Sequence, residues 1–495
     1  MKNRFSGILM HITSLPNSLG IGTLGKEAYE FTDFLASAGQ KIWQVLPLGH
    51  TGYGDSPYQC YSAFAGNPLL IDLTNLLTAG YLNNHDIETI PDFTIQEFDT
   101  AKVSSYKMPL LYKAAEGFLK NADSSEKEAF DFFCGENLWL DDYALFMVLK
   151  KKFDRTPWYL WDEALKFRNP EALSSYRQKL DKDLKMIKVI QFFFFRQWAF
   201  LKTYANEKGI SIFGDIPLYV SHDSADVWAH HDLFQLDDSR KPTAVAGVPP
   251  DYFSADGQLW GNPLFNWAVH EESGFKWWLD RIKASFKLYD LLRIDHFRGL
   301  STYWAVPFGE KTAAHGTWHE APGKKMLEVV FGKLGDVPLI AEDLGILSPD
   351  VESLRDAFKL PGMKVLQFAF DQWGGNNFMP HLYDENCVVY TGTHDNETTK
   401  GWFKKMPQEQ KEILKAYYNI RSTYISWDMI RIAWMSVAKI AIAPMQDILN
   451  LGSTARMNTP GKPYGSWRWR MSSKQYGEKL KQELKSMTAL YDRLG

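Results

Sequence analysis

Three segments in the second half of the chain change from hydrophobic to charged residues within a few positions. Each opens with a run of apolar residues, which is typical of a strand that is buried on both faces of a parallel sheet. Each then ends in polar residues that include a carboxylate. The segments and their carboxylates are 289–299 (Asp295), 337–345 (Glu342) and 387–396 (Asp395). The pattern predicts three parallel strands with an acidic residue at each carboxyl end.

Strand patterns alternate with helical patterns along most of the chain. The first example is a strand at 5–15, a helix at 26–38 and a strand at 41–48. Further strands are predicted at 210–218, 363–370 and 440–444. Eight strands with helices between most of them predict a (β/α)8 (TIM) barrel with long insertions. We expect one catalytic domain over residues 1–495 without a C-terminal β-sandwich, because the tail from Lys474 has a helical pattern.

Two stretches interrupt this alternation. Residues 80–183 lose the strand pattern and show helical periodicity, as at 107–120 and 141–152, which predicts a mostly helical insertion between strands two and three. Residues 221–275 are predicted to be a loop insertion over the mouth of the barrel, meaning its carboxyl end. They include a proline-, glycine- and aromatic-rich segment at 248–263, and loops of this length are usually functional. We predict that this segment is a lid over the cleft.

The carboxyl ends of barrel strands meet at one mouth, where the active sites of such barrels lie. Arg293 lies two residues before Asp295, so both side chains would point the same way from the strand. A guanidinium in that position would orient the carboxylate and keep it ionised. A structural ion pair at a strand end would give the same sequence. Three acidic strand ends, with His394 beside Asp395, favour an active site.

The composition argues against several classes of function. The net charge is −4 without a basic patch, which argues against nucleic acid as a partner. No apolar run approaches the length of a membrane span, and the start of the chain is a poor signal peptide. The three cysteines are far apart and odd in number, which fits a reduced protein of the cytoplasm. Aromatic residues, 15% of the chain, suit the faces of sugar rings but also fill large cores.

Two other motifs support weaker interpretations. Residues 20–25 match G-x-G-x-x-G between a strand and a helix, which would indicate dinucleotide binding. Intervening residues separate this motif from the strand, however, and strand two ends without an acidic residue for a ribose. His222, Asp223, His230 and His231 could surround a metal, but they lack a defined ligand spacing. We predict neither a cofactor nor a metal.

Two carboxylates on either side of a glycosidic bond are the standard apparatus for glycosyl transfer. One attacks the anomeric carbon and must be ionised, which suits Asp295 beside Arg293. The other protonates the leaving oxygen and needs a raised pKa, which burial and the neighbours Asp343 and Asp295 would give to Glu342. Asp395 would stabilise the positively charged sugar of the transition state or bind its hydroxyls.

With these motifs the chain resembles the amylomaltases, also called 4-α-glucanotransferases or disproportionating enzymes, of the α-amylase clan. The resemblance covers nearly the whole chain. The motifs that carry it are 54–58 (GDSPY), 214–217 (GDIP), 251–263 (DYFSADGQLWGNP), 293–299 (RIDHFRG), 341–345 (AEDLG) and 393–396 (THDN). It implies retaining transfer of α-1,4-glucan segments from a donor maltodextrin to the 4-hydroxyl of an acceptor glucan or glucose. The implied partners are maltooligosaccharides and starch- or glycogen-type glucans, with no nucleic acid and no membrane.

The resemblance also implies roles for individual residues. Asp295 would be the nucleophile, Glu342 the acid and base, and Asp395 the residue that stabilises the transition state. Trp260 would line the subsite next to the reacting glucose. The residues that would hold the reacting glucose are Arg293, His394 and Tyr58. The other predicted substrate-binding residues are Ser56, Asp215, His296 and Asp371.

Two other functions would use the same residues. An α-amylase-type hydrolase has the same three carboxylates, but the sequence shows no pattern of a C-terminal β-sandwich, a secretion signal or a calcium site. An inactive glucan-binding scaffold would not need Asp295, Glu342 and Asp395 together. Products from maltotriose would separate transfer, which makes longer maltodextrins and glucose, from hydrolysis, which makes glucose and maltose alone.

Overall fold

The computed structural model describes residues 4–250, 254–345, 348–370, 376–420, 424–462, 465–473 and 475–495. The strands of these residues, in chain order, are β1 (Phe5–Leu9), β2 (Ile42–Gln44), β3 (Ser211–Ile216), β4 (Ala244–Val248), β5 (Gln258–Pro263), β6 (Leu291–Ile294), β7 (Thr302–Pro307), β8 (Thr317–Glu320), β9 (Leu339–Ala341), β10 (Gly362–Val365), β11 (Cys387–Tyr390) and β12 (Ile440–Pro444).

The α-helices, in chain order, are α1 (Lys26–Ser37), α2 (Leu73–Thr78), α3 (Asn84–Ile87), α4 (Thr100–Asn121), α5 (Ser124–Glu136), α6 (Trp139–Lys152), α7 (Glu163–Lys166), α8 (Pro170–Lys179), α9 (Asp181–Glu207), α10 (Ala225–Ala229), α11 (Trp267–Glu272), α12 (Lys276–Leu288), α13 (Gly323–Leu334), α14 (Pro349–Ala357), α15 (Thr399–Lys405), α16 (Gln408–Tyr418), α17 (Ile425–Met435), α18 (Met445–Ile448) and α19 (Glu478–Leu490). In the described parts of the chain, none of these helices combines the length and the apolar character that a membrane span requires.

Eight of the strands form one parallel sheet that closes into a barrel. Their order around the sheet is β10, β11, β12, β1, β2, β3, β6 and β9, and every neighbouring pair is parallel. The two ends of the sheet meet where the backbone N–H of Ala341 donates to the carbonyl oxygen of Pro361 over 2.9 Å. The predicted (β/α)8 barrel is confirmed.

The barrel forms because its strands and covering helices bury continuous apolar surface. All five residues of β12 are buried, and so are three of the four residues of β6. Such strands appear in the sequence as unbroken apolar runs, because both faces of the sheet are covered. Helix α1 covers the barrel with Ala28, Phe31 and Leu35, which are fully buried. Their spacing of three and four residues places them on one face of the helix.

Helices α2 to α9 lie between β2 and β3, in the part of the chain that contains the predicted helical insertion at 80–183. Lys150, on α6, connects this region to the loop after β3, because its Nζ lies 2.5 Å from Asp223 Oδ2. Trp158 Nε1 also donates to the carbonyl oxygen of His222 over 2.6 Å. The helical region is therefore fixed to the rim of the barrel mouth.

A second, antiparallel sheet lies partly within the predicted loop insertion at 221–275. Its four strands are in the order β5, β4, β7, β8, so residues predicted to be loop form β4 and β5. The strand pattern is hidden in the sequence because Pro249 and Pro250 interrupt it and Gly257 and Gly261 adopt left-handed backbone angles, with φ 67° and 76°. Residues 251–253 of the predicted lid lie outside the described residues.

Several barrel strands are shorter than predicted, and β2 ends at Gln44 rather than at residue 48. β1 ends at Leu9 rather than at residue 15, and a 3-10 turn follows at Ile12–Ser14. β10 ends at Val365, and the rest of predicted strand six is the 3-10 helix Leu366–Phe370. Both turns bury apolar side chains. The hydrophobic pattern therefore continues beyond the point at which the strand ends.

Candidate active site

The three predicted carboxylates lie at the mouth of the barrel. Asp295 follows β6 and Glu342 follows β9, and these strands are neighbours in the sheet. The backbone N–H of Asp295 donates to Ile216 O over 3.0 Å, and that of Glu342 donates to Ile294 O over 3.1 Å. The hydrogen-bond ladder of the barrel therefore continues through both acidic positions and fixes their backbone. Asp395, beyond β11, is close enough for its charge to act on both.

Arg293 is buried at the centre of this cluster and contacts two carboxylates. Its guanidinium pairs with Asp215, at the end of β3, and its Nη2 lies 2.9 Å from Asp295 Oδ1. Tyr58 Oη donates to Asp215 Oδ2 over 2.6 Å. The predicted contact between Arg293 and Asp295 is present, but the arginine is shared with Asp215.

Tyr58 and His394 line the cleft beside Asp395. Tyr58 Oη lies 2.9 Å from His394 Nε2, and the two rings are nearly parallel, with centroids 5.3 Å apart. His394 Nε2 lies 3.4 Å from Asp395 Oδ2. Trp467 covers both rings, with centroid distances of 5.7 Å to each. Burial lowers the pKa of His394, so this imidazole is neutral at neutral pH.

Sequence reasoning missed three residues that complete this side of the cleft, Arg456, Asn458 and Trp467. Asn458 Nδ2 donates to Asp395 Oδ1 over 2.6 Å, and Arg456 Nη2 donates to the carbonyl oxygen of Asp395 over 2.7 Å. These residues belong to no motif. Their place after the eighth barrel strand is the signal that could have identified them, since loops at that end of the barrel face the mouth.

The pKa of Glu342 is raised, as predicted. Burial has the largest effect; Arg293 opposes it, and the negative charges of Asp295 and Asp395 add to it. The backbone N–H of His296 donates to Glu342 Oε2 over 2.6 Å and lowers the pKa. The net effect favours the protonated acid.

The sequence predicts that Asp343 helps to raise the pKa of Glu342, but the structure gives it a different role. Successive side chains leave a strand on opposite faces, and Asp343 accepts hydrogen bonds from Arg355 Nη1 and from the backbone N–H of Met363, both over 2.6 Å. These contacts bridge the ends of the sheet between β9 and β10. Asp343 therefore closes the barrel.

The pKa of Asp295 is raised, whereas the sequence predicts that Arg293 keeps this group ionised. Burial has the largest effect; Arg293 opposes it, and the negative charges of Asp215 and Asp395 add to it. Arg293 also pairs with Asp215, so its charge is shared between two carboxylates. Since Arg293 donates directly to Asp295, the anion is favoured on Asp295 and the proton on Glu342.

Trp260 and His296 form a second aromatic surface at the mouth. Trp260, on β5, meets the His296 ring edge to face at a centroid distance of 4.7 Å. Tyr219 lies behind both rings, 6.3 Å from Trp260 and 6.4 Å from His296. His296 has a left-handed backbone, with φ 51°, and in this conformation its N–H reaches Glu342.

Of the other predicted site residues, one has a structural contact and one is not described. Ser56 Oγ accepts from the backbone N–H of Tyr58 over 3.2 Å, so it shapes the turn that holds the tyrosine. Gln59 Nε2 donates to Asn262 Oδ1 over 3.0 Å and connects the same turn to β5. Asp371 lies outside the described residues.

The two weaker motifs have structural explanations. A Cβ at Gly22 would lie 1.9 Å from Ile12 O, and one at Gly25 would lie 2.2 Å from a carboxylate oxygen, so protein atoms fill the space that a pyrophosphate would need. His222 stacks on a tyrosine ring at 4.3 Å. In the residues that the structure describes, no group of three or more His, Cys, Asp and Glu side chains could hold a metal ion.

Two carboxylates with different surroundings at adjacent strand ends, beside aromatic side chains, define a class: the (β/α)8 enzymes that act on glycosidic bonds. The family model described as 4-alpha-glucanotransferase matches residues 10–475. The chain belongs to the 4-alpha-glucanotransferase family, as its motifs predict.

Relatives from distant organisms match over the full chain. The 4-alpha-glucanotransferase of Synechocystis is 48% identical, with 100% of this chain and 99% of the relative aligned. That of Thermus thermophilus is 46% identical, with 99% of each chain aligned. The solved structure of the amylomaltase from Streptococcus agalactiae in complex with acarbose superposes with a TM-score of 0.96 at 44% identity and covers 99% of this chain and 100% of its own. The predicted transferase activity is confirmed at the level of the family.

Proposed function

We propose that this enzyme transfers α-1,4-glucan segments by a retaining double displacement in which Asp295 and Glu342 do the chemistry. Asp295 attacks the anomeric carbon of the donor glucose while the glycosidic C–O bond breaks and Glu342 gives its proton to the departing O4. The donor segment is then an ester of Asp295. Glu342 next takes the proton of the acceptor 4-hydroxyl as that oxygen attacks the anomeric carbon, which frees Asp295.

The proposal rests on a difference between the surroundings of Asp295 and Glu342, and Arg293 is the main source of that difference. Its Nη2 donates to Asp295 over 2.9 Å, which supports a carboxylate there. Burial raises the pKa of Glu342, which supports an acid there. A nucleophile and a proton donor require this division, since two neighbouring carboxylates with different surroundings can take different roles.

The reacting glucose would be held by Tyr58, His394, Asp215 and Arg293, which are hydrogen-bonded to one another around the cluster. Asp395 would stabilise the positive charge that develops at the anomeric carbon, and its side chain is 43% exposed, so it is accessible to a sugar. The remaining proposed substrate-binding residues are Ser56 and Asp371.

The acceptor sugar would bind against Trp260 and His296. A planar indole offers an apolar face to a sugar ring, and His296 adjoins Glu342, where the acceptor hydroxyl has to lose its proton. Transfer rather than hydrolysis requires that an acceptor reach the intermediate before water does, and a cleft closed by aromatic side chains favours this. We propose that segment 221–275, which carries Trp260, covers the cleft and that insertion 80–183 shapes its rim.

Proposed donors are maltooligosaccharides and starch- or glycogen-type α-1,4-glucans, and proposed acceptors are the same glucans and glucose. Neither step of the proposed reaction needs a metal or a cofactor. We propose a cytoplasmic location, because Cys60, Cys134 and Cys387 are free thiols, as is usual in a reducing compartment.

The first experiment is incubation of the purified enzyme with maltotriose alone, with products separated by chain length over time. The proposal expects longer maltodextrins together with glucose. Glucose and maltose alone would indicate a hydrolase. An Asp295→Asn variant serves as the control for contaminating activity. Longer products from that variant, at the rate of the unmodified enzyme, would contradict the assignment of the nucleophile.

A further inference from the structure

The segment that follows β12 binds both sides of Asp395. Asn458 Nδ2 donates to the carboxylate oxygen Oδ1 over 2.6 Å, and Arg456 Nη2 donates to the main-chain carbonyl of the same residue over 2.7 Å. The backbone N–H of Asn458 donates to the carbonyl oxygen of His394 over 3.1 Å. Side chain and backbone of Asp395 are thus held from one neighbouring segment.

The two holding residues are themselves connected. Arg456 Nε donates to the carbonyl oxygen of Asn458 over 2.6 Å, so the arginine fixes the backbone that carries the amide. Arg456 Nη1 lies 3.9 Å from Glu397 Oε2, and Lys405 Nζ lies 2.5 Å from the same oxygen. The guanidinium therefore has a carboxylate partner of its own and approaches Asp395 only at the main chain.

Asp395 needs such support more than Asp295 or Glu342 does. Its side chain is 43% exposed, compared with 27% for Asp295, and it lies in a loop beyond the end of β11. A carboxylate with this exposure rotates about χ1 and χ2 unless a hydrogen bond holds it. Asn458 binds Oδ1, which leaves Oδ2 on the side of His394, where the reacting glucose is proposed to bind.

We propose that Asn458 is a positioning residue, supported by Arg456, that turns the Oδ2 atom of Asp395 toward the reacting sugar. This inference rests on the proposed role of Asp395. It assigns no contact between Asn458 and the reacting atoms. Its consequence is that the transition state, rather than the bound donor, loses stabilisation when the amide is removed.

The test compares Asn458→Ala with the unmodified enzyme, using maltotriose and α-maltotriosyl fluoride as donors. Loss of a hydrogen bond to a charged group predicts a fall in kcat of about 10- to 100-fold, with KM and the melting temperature little changed. The fall persists with the fluoride, because a better leaving group does not replace stabilisation of the sugar. Thr459→Ala, one residue along the same segment, should keep the kcat of the unmodified enzyme.

A second variant gives a signature that a merely structural role would not produce. In Asn458→Asp the introduced carboxylate repels Asp395 at neutral pH, and at lower pH one proton shared by the pair restores an O–H donor. The kcat ratio of this variant to the unmodified enzyme should therefore rise as pH falls, while the ratio for Asn458→Ala stays flat. The other charged or titratable groups around the pair, which the ratio cancels, are His394, Asp295, Glu342, Arg293, Arg456 and Glu397.

Asp395→Asn separates failure of this inference from failure of the proposed function. If that variant is inactive and Asn458→Ala has normal kcat, only the positioning role is wrong. The same conclusion follows if Asn458→Ala loses activity through KM or melting temperature and the Asn458→Asp ratio does not change with pH. If Asp395→Asn is fully active, the proposed role of Asp395 fails together with the inference.

Discussion

Replacing Glu342 with glutamine removes the proposed proton donor and keeps its size. The amide oxygen can still accept the N–H of His296, which now lies 2.6 Å from Glu342 Oε2. The variant can neither protonate a departing O4 nor deprotonate an acceptor hydroxyl. The substitution therefore removes one chemical function and leaves the neighbouring backbone contact available.

The structure places the expected loss at the upper end of what acid–base catalysis supplies, which is about 10²- to 10⁴-fold. His296, whose backbone N–H contacts Glu342, has a pKa lowered by burial to about 4 and is neutral, and burial also lowers the pKa of His394. Burial raises the pKa of Tyr58, whose hydroxyl already donates to Asp215, so it is a poor acid. Because neither these histidines nor Tyr58 is an effective acid, we expect kcat/KM for maltotriose to fall by about 10⁴-fold.

The informative assay compares donors with different leaving groups. Fluoride departs from α-maltotriosyl fluoride without a proton, so Glu342→Gln should release fluoride within about tenfold of the normal initial rate. The glycosyl-enzyme should then accumulate, because no base activates the acceptor. Azide, which needs no base, should restore turnover and give an α-configured glycosyl azide. A fluoride electrode and NMR of the product measure both results.

Three outcomes would refute the reasoning. Equal losses with maltotriose and with the fluoride would show that Glu342 is not the acid. A β-configured azide would contradict a double displacement. In the unmodified enzyme, kcat/KM for maltotriose should fall as pH rises through the raised pKa of Glu342, since the acid must be protonated. Absence of that alkaline fall would contradict the assigned proton.

Three further predictions test the nucleophile, the acceptor surface and a buried amine. Asp295→Asn should fold normally by circular dichroism and lower turnover by several orders of magnitude; near-normal turnover would contradict the covalent step. Trp260→Ala, which removes the ring 4.7 Å from His296, should raise KM for glucans by about twofold to tenfold with little change in kcat, and unchanged glucan binding would refute its role as a platform. Lys107 is fully buried on α4, and burial lowers its pKa to about 7, whereas the unfolded chain keeps this proton to much higher pH. The free energy of unfolding should therefore rise between about pH 7 and about pH 9. The rise should be smaller in Lys107→Met and unchanged in Lys120→Met, a control at an exposed position of the same helix. Chemical denaturation at several pH values measures this, and the same dependence on pH in both variants would contradict the prediction.

The carboxylates could be located from the sequence because barrel strands carry their own signal. An apolar run that ends in Asp295 or Glu342 indicates that the strand is buried, and its end indicates where the strand reaches the mouth of the barrel. Trp260 followed from its motif, although its strand, β5, did not, because glycine and proline conceal the alternation. The end of a barrel strand depends on residues that are close together in the sequence, so the hydrophobic pattern of one sequence predicts it well.

The division of Arg293 between two carboxylates could not be read from the sequence. Asp215 lies 78 residues away, on the adjacent strand β3, and its negative charge adds to the effect of burial, which raises the pKa of Asp295. Neither could the contact of Asn458 with Asp395, which joins two loops 63 residues apart. Such contacts depend on how loops pack across the mouth of the barrel, and the hydrophobic periodicity of the sequence does not predict this packing.

The hydrogen bonds that join Tyr58 to Asp215 and to His394 span 157 and 336 residues, and Asn458 comes later in the chain than all of them. The helices between β2 and β3 can form from local contacts, whereas these hydrogen bonds form only after distant segments have come together. Turnover should therefore be the last property to return on refolding, after the helical circular dichroism signal. Recovery of activity would therefore indicate that the segment carrying Asn458 has packed against Asp395.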